Sequence, residues 1–125
     1  MTMKIALIGK IRSGKDSIGD YLITHYGMYR FAFGDPLKEN ARKMFPYDFI
    51  NGNKPRKLLQ DFGQKMREID PNIWIRLTFK AIEETEHIHS HHVFISDVRQ
   101  RNEVERLRAE GYTIIRVNAS EQRRI

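Results

Sequence analysis

The 125-residue sequence has no cysteine. Disulfides, thiolate metal sites and cysteine nucleophiles are therefore excluded. It also has no apolar run near the ~18–20 residues that a membrane-spanning helix needs. The N-terminal apolar run, Ile5-Ala6-Leu7-Ile8 after Lys4, is too short for the hydrophobic region of a signal peptide. There are only 4 prolines, with no Pro/Ser-rich linker, internal repeat or low-complexity tract, so nothing divides the chain into separate units. Acidic residues are in deficit as well: 16 Asp and Glu against 22 Lys and Arg leave a net charge of +6.

What is present is an ordinary globular mixture, 40% hydrophobic and 30% charged. Disorder is not expected. The length predicts one domain over residues 1–125, with enough chain for one real core. The positive balance points to a polyanionic partner, whether nucleic acid, an acidic membrane or a phosphorylated small molecule. A basic but inert surface explains it equally well. A cytoplasmic protein fits the lack of cysteine and of targeting signals.

Short apolar runs alternate with amphipathic stretches, the pattern of an α/β fold with a parallel sheet and crossover helices. Lys4–Ile8 reads as a strand covered on both faces. A helix is predicted from Gly14 to Tyr26, with Ile18, Tyr21 and Leu22 inward and Gly27 as its C-terminal cap. Tyr29–Phe33 reads as a second strand, and Asp35-Pro36 as the start of a helix running to Met44. Residues 46–54 read as loop. Pro55 opens a helix with a stripe of Leu58, Leu59, Phe62 and Met66. Asp70 is expected to cap a further helix whose first residue is Pro71 and whose buried face is Ile73, Trp74, Leu77 and Ala81. Val93–Ile95 is a third strand, Asn102–Glu110 a helix closed by Gly111, and Tyr112–Val117 a fourth strand.

The strongest chemical signal is Gly9-Lys10-Ile11-Arg12-Ser13-Gly14-Lys15-Asp16-Ser17. It has two glycines separated by four residues, then lysine, between a buried strand and a helix. This is the pattern of a phosphate-binding loop. Glycines let the backbone wrap an anion without a Cβ clash, and the loop N–H groups and helix N-terminus face its charge. Gly9, Arg12, Ser13, Gly14, Lys15, Asp16 and Ser17 are thus the candidate ATP-binding residues, with Lys15 reaching the β- and γ-phosphates. Asp16 stands where the simplest pattern has a hydroxyl, which here comes one place later at Ser17. A Mg²⁺ ion is then expected on Asp16 and Ser17, in part through water.

A second signal is Val93-Phe94-Ile95-Ser96-Asp97-Val98-Arg99. An acid at the carboxyl end of a buried strand points to the crevice where open α/β sheets bind ligands. Asp97 is expected to organise Mg²⁺ and Arg99 to clamp a phosphate. The plainer reading makes Asp97 a cap for the next helix and Arg99 its ion-pair partner. In either case Glu103 can hold Arg99 as the helix begins. A third signal is the helix pair over 58–82. Arg67 is the leading cation for an acceptor phosphate, since guanidinium binds phosphate bidentately. Gln64, one turn earlier, and Asp35 are further acceptor-side candidates. Trp74 is a candidate base platform, though core packing explains it better. His87, His89, His91 and His92 read as a solvated connector rather than a metal site. Arg123 and Arg124 either stabilise a transferring phosphoryl group or belong to a frayed end.

Together these segments resemble the nucleoside monophosphate kinases, most closely the deoxynucleoside monophosphate kinases of bacteriophages and bacteria. The resemblance rests on the Gly-Lys-Asp-Ser ending at 14–17, on Phe31-Ala32-Phe33-Gly34-Asp35-Pro36-Leu37-Lys38, on Leu59 to Arg67 with Asp70-Pro71 and Trp74, and on Ile95 to Arg99 with Asn102-Glu103. It implies a P-loop three-layer sandwich with a parallel sheet in the order 2-3-1-4. It also implies ATP- and Mg²⁺-dependent phosphorylation of a (deoxy)nucleoside 5′-monophosphate to its diphosphate. Lys15, Asp97 and Arg99 would be catalytic; Asp35, Gln64, Arg67, Trp74 and Arg99 would line the acceptor site; Asp16, Ser17 and Asp97 would serve Mg²⁺; Arg123 would join the ATP site. The expected organisation is a kinase core with acceptor-binding helices over about 36–85. Family members continue past the fourth strand into an arginine-bearing lid, which is expected to be cut short here after 118–125. Other acceptors, of the dephospho-coenzyme A or phosphomevalonate type, stay open within this reading. So do a nucleic-acid-associated ATPase or polynucleotide kinase and a non-catalytic P-loop protein. The expected partner is a small nucleotide, with neither membrane nor nucleic acid; a homodimer is left open.

Overall fold

The computed structural model describes residues 3–9, 15–88 and 92–117, with the backbone alone at 86–88. The elements run β1 (Lys4–Ile8), α1 (Lys15–Tyr26), β2 (Tyr29–Phe31), α2 (Gly34–Met44), a 3₁₀ segment (Pro46–Gly52), α3 (Arg56–Ile69), α4 (Ile73–Ile88), β3 (Val93–Val98), α5 (Arg101–Ala109) and β4 (Thr113–Arg116). All strand pairs are parallel, and the sheet order is β2-β3-β1-β4, as the sequence implies.

The sheet is covered on both sides, which is why the centres of its middle strands, Ile5–Ile8 and Val93–Ile95, are apolar. On one face Ala6, Val93, Ile95 and Val98 pack with Phe33, with Ile75, Phe79 and Ile82 of α4, and with Leu107 of α5. On the other, Leu7 and Phe94 pack with Leu22 of α1, Met28 and Val117. Val93, Phe94 and Ile95 are wholly buried. Each such side chain contributes about 1.5–3 kcal/mol of transfer free energy. Gly19 lets α1 settle on Phe94, because a Cβ there would stand 3.2 Å from the ring. Helices α2 and α3 pack on each other and on α4, forming a flank beside the sheet.

The glycine caps match the expectation: Gly27 (φ 62°) ends α1 and Gly111 (φ 84°) follows α5. Several local expectations need correction. Tyr21 is exposed, its ring tilted against His25 and edge-on to Tyr26 on the outer side of α1. The stretch read as loop contains the 3₁₀ segment, broken where Asn51 adopts φ 61°. Helix α4 begins at Ile73, not Pro71; Pro71 and Asn72 form a turn in which Asp70 Oδ1 accepts the Asn72 N–H at 3.0 Å. On α4 Trp74 is buried as expected, but its companions are Ile75, Thr78, Phe79 and Ile82, while Ile73, Leu77 and Ala81 are only half-buried. Thr78 can be buried because its hydroxyl donates to the Trp74 carbonyl at 2.7 Å.

Candidate functional site

The site lies at the carboxyl edge of the sheet, where open α/β folds bind ligands. Strand β1 runs directly into Gly9, and Ile8 is opposite Val98 on one side and Arg116 on the other. The start of the glycine-rich loop is therefore beside the Asp97–Arg99 segment. Residues 10–14, and with them Arg12, Ser13 and Gly14, lie outside the described residues, as does Arg123. Beyond the loop, Lys15 opens α1 half-buried, with Asp16 and Ser17 exposed in its first turn.

Asp97 is set by an irregularity in β3. Ala6 pairs with Ile95, yet Ile8 pairs with Val98, so three steps along β3 match two along β1. The extra residue shifts the alternation, and Val98 joins Val93 and Ile95 on one core face. Asp97 is thereby turned out of the core towards the β2–α2 connection. Its Oδ1 accepts the Phe33 N–H at 2.8 Å and its Oδ2 the Gly34 N–H at 3.0 Å. These are unpaired donors at the start of α2, where no local side chain supplies a cap. Asp97 is thus a cap, but for α2 rather than for the helix that follows it. Each oxygen keeps a second acceptor position.

Glu103, 6% exposed, performs the same service at the start of α5. Its Oε1 accepts the N–H of Arg99 at 2.8 Å and of Gln100 at 2.9 Å. Burial pushes its carboxyl above the ordinary value, and the nearby Asp97 charge adds to this, while those two N–H groups and Arg67 oppose it. Glu103 thus holds Arg99 at the start of the helix, as the sequence suggests, and does so through the Arg99 backbone N–H. The Arg99 guanidinium is exposed and makes no hydrogen bond or ion pair among the described residues.

Arg67 approaches from the flank. It is half-buried in the last turn of α3, and its Nη1 lies 3.5 Å from where a Cβ on Gly63 would be. Its charge acts on the Glu103 carboxyl, as does that of Asp97. Gln64 is exposed on α3, and Asp35 is exposed in the first turn of α2, 3.9 Å from Arg30. Trp74 is placed elsewhere: at 4% exposure it packs on Phe62 beneath α3, with its Nε1 3.4 Å from the Gly63 carbonyl oxygen. It has almost no surface to offer a base, and core packing accounts for it.

His89 and His91 fall outside the described residues, as does the side chain of His87; His92 Nδ1 accepts the Met3 N–H at 2.9 Å. Among the described residues no three metal-ligating side chains cluster, and no helix is long and apolar enough to cross a membrane.

Comparison with known proteins shows the family. A family model described as deoxynucleotide monophosphate kinase matches residues 43–125. The chain belongs to that family. The match spans α3 to β4, and so includes Gln64, Arg67, Asp97 and Arg99 but not Gly9–Ser17. A mimivirus protein named "Putative deoxynucleotide monophosphate kinase" is 29% identical over 147 aligned positions, covering 91% of this chain and 72% of that protein. An ictalurid herpesvirus protein, "Uncharacterized protein ORF77", is 31% identical over 107 positions; the match covers 86% of this chain and 46% of that protein, so the chain spans about half its length. For a member of this kinase family, the two features that sequence reading missed are the capping of α2 by Asp97 and the bonds made by Asn102. Both are pairings across the fold, and the irregular register of β3 is the only local sign of the first.

Proposed function

We propose that the chain transfers the γ-phosphoryl group of ATP to a deoxynucleoside 5′-monophosphate, giving the diphosphate and ADP. The observation that carries this reading is that the end of β1 runs beside the Asp97–Arg99 segment, where the Arg99 guanidinium has no ion-pair partner among the described residues; Arg67, also without one, acts electrostatically on Glu103, which holds the Arg99 backbone. Neither guanidinium is buried, so each is open to an anion from solvent, and guanidinium suits a phosphate.

In this reading Gly9–Ser17 holds ATP, and the α2–α3–α4 flank, residues about 36–85, carries the acceptor. Lys15 and the N-terminus of α1 stabilise charge on the β- and γ-phosphates. Arg67 and Arg99 fix the acceptor phosphate so that one of its oxygens lies in line with the γ-phosphorus. A bond forms between them as the β–γ bridging bond breaks, and ADP leaves with its electron pair. No strong general base is needed, since the attacking oxygen is already anionic near neutral pH. Asp35 and Gln64 would contact the acceptor's sugar or base, and Arg123 the donor.

The oxygen donors of Asp16 and Ser17, exposed in the first turn of α1, suit Mg²⁺, which binds few protein ligands and keeps several waters. Asp97 fits a water-mediated contact, because each of its oxygens already accepts an N–H. When bound, the ion would neutralise charge developing on the triphosphate.

The test is ADP formation with ATP, Mg²⁺ and each of the four common deoxynucleoside monophosphates, alongside dephospho-coenzyme A and a 5′-hydroxyl oligonucleotide. Turnover with at least one monophosphate is expected, falling at least about a hundredfold in Lys15→Ala. Turnover only with another acceptor, or unchanged turnover in Lys15→Ala, would overturn the assignment.

A further inference from the structure

Asn102 stands in the first turn of α5, half-buried, and bonds through both ends of its amide. Its Nδ2 donates to the Pro71 carbonyl at 3.1 Å and to Asn72 Oδ1 at 3.1 Å, while its Oδ1 accepts the Glu103 N–H at 3.0 Å. The amide's orientation follows from its partners: Pro71 can only accept there, and the Glu103 N–H can only donate. Its partners belong to the α3–α4 turn, which is already closed on itself. Asp70 Oδ1 accepts the Asn72 N–H, the Asp70 carboxylate pairs with Arg76, and the Arg76 N–H reaches the Asn72 carbonyl at 2.9 Å. Asn102 thus fastens one rigid turn to another.

The start of α5 has a cap besides this amide: Gln100 and Glu103 form a capping box, in which the Gln100 side chain accepts the Glu103 N–H and the Glu103 carboxylate the Gln100 N–H. What the amide does join is two segments of the chain. Arg67 lies three residues before Asp70, and Arg99 three residues before Asn102. The tether therefore joins the ends of the two segments that carry the two arginines, across 31 residues of sequence.

We propose that Asn102 is a positioning residue: by pinning the α3–α4 turn to the start of α5, it fixes the separation of Arg67 and Arg99, and hence the fit to an acceptor phosphate. This rests on the acceptor-site reading above. The side chain touches neither substrate. Its effect should appear in acceptor affinity and not in ATP affinity.

The experiment compares wild type with Asn102→Asp and Asn72→Ala. Asn102→Asp is isosteric and keeps the acceptor for Glu103, but it turns a carboxylate oxygen towards the Pro71 carbonyl. Calorimetric Kd for each of the four deoxynucleoside monophosphates is measured, together with KM for the best of them and for ATP. Asn102→Asp should raise Kd and KM for the monophosphate about tenfold, the equivalent of one or two hydrogen bonds, with KM for ATP within about twofold. Asn72→Ala, which removes a single bond, should give about a threefold rise with the same selectivity, and it decides the matter if Asn102→Asp does not fold. An unchanged acceptor constant, or an equal rise in both KM values, overturns the inference while leaving the kinase assignment intact. A wild-type protein that neither binds nor turns over any monophosphate overturns both.

Discussion

Polar side chains are held differently along the β3–α5 edge and along the α2–α3 flank. At the edge, Asp97, Glu103 and Asn102 bond to backbone groups of other segments or of a helix start. On the flank, Lys43–Glu39, Lys57–Asp61 and Lys65–Glu68 are ion pairs within one helix, with every side chain more than half exposed. Loss of Asp97 or Glu103 would take the acceptor from partly buried backbone donors, whereas a flank side chain that leaves meets water. The bonds of Asp97 and Glu103 therefore fix local geometry in a way that surface pairs do not, whether those lie on the flank or, like Arg101–Glu105, on α5.

The comparison breaks most readily at Asp97. Asp97→Ala leaves the Phe33 and Gly34 N–H groups without their acceptors and should cost about 2–4 kcal/mol in chemical denaturation. Asp97→Asn keeps one acceptor oxygen and should cost roughly half as much, about 1–2 kcal/mol. A loss from Asp97→Ala within about 0.5 kcal/mol would mean that the edge is no more rigid than the flank.

Glu103 sharpens the comparison through pH. Its raised carboxyl means that the folded protein holds the proton more tightly than the unfolded chain does. Its contribution is fully present below the ordinary carboxylate value and is lost as pH rises through the higher folded value. Glu103→Gln keeps an acceptor for Arg99 and Gln100 but does not titrate. The stability difference between variant and wild type, followed by thermal unfolding from pH 4 to 8, should move in favour of Gln as pH rises. A difference that does not vary with pH would contradict the burial of an ionisable group there.

The smallest effect belongs to the flank. Lys57→Ala removes a 2.9 Å ion pair with Asp61 that is 89% and 61% exposed. It should change stability by less than about 0.5 kcal/mol, and less again in high salt. A larger loss would mean that the flank depends on its surface pairs.

Much of this division was legible in the sequence. Apolar runs marked β1 and β3, glycines at 27 and 111 marked the helix ends, and the strand order followed from the family resemblance. The α4 face was misjudged because both Ile73-Leu77-Ala81 and Ile75-Phe79-Ile82 have helical spacing. The choice depended on burying Thr78, whose hydroxyl is satisfied within its own helix. The chemistry of Asp97, Arg67 and Arg99 as residue types could be read, but their partners could not. Asp97 caps a helix 63 residues earlier because β3 takes an extra step against β1. Asn102 reaches a turn formed by another pair of helices. Neither pairing leaves a local periodicity to read.

The central claim is that Arg67 and Arg99 recognise the phosphate of the acceptor. Its most direct test is the affinity of wild type, Arg67→Ala and Arg99→Ala for a deoxynucleoside monophosphate and for the same deoxynucleoside without its phosphate. Each arginine variant should weaken monophosphate binding at least about tenfold, the scale of a charged hydrogen bond, and leave binding of the bare nucleoside unchanged. Monophosphate affinities equal to wild type in both variants would contradict the account.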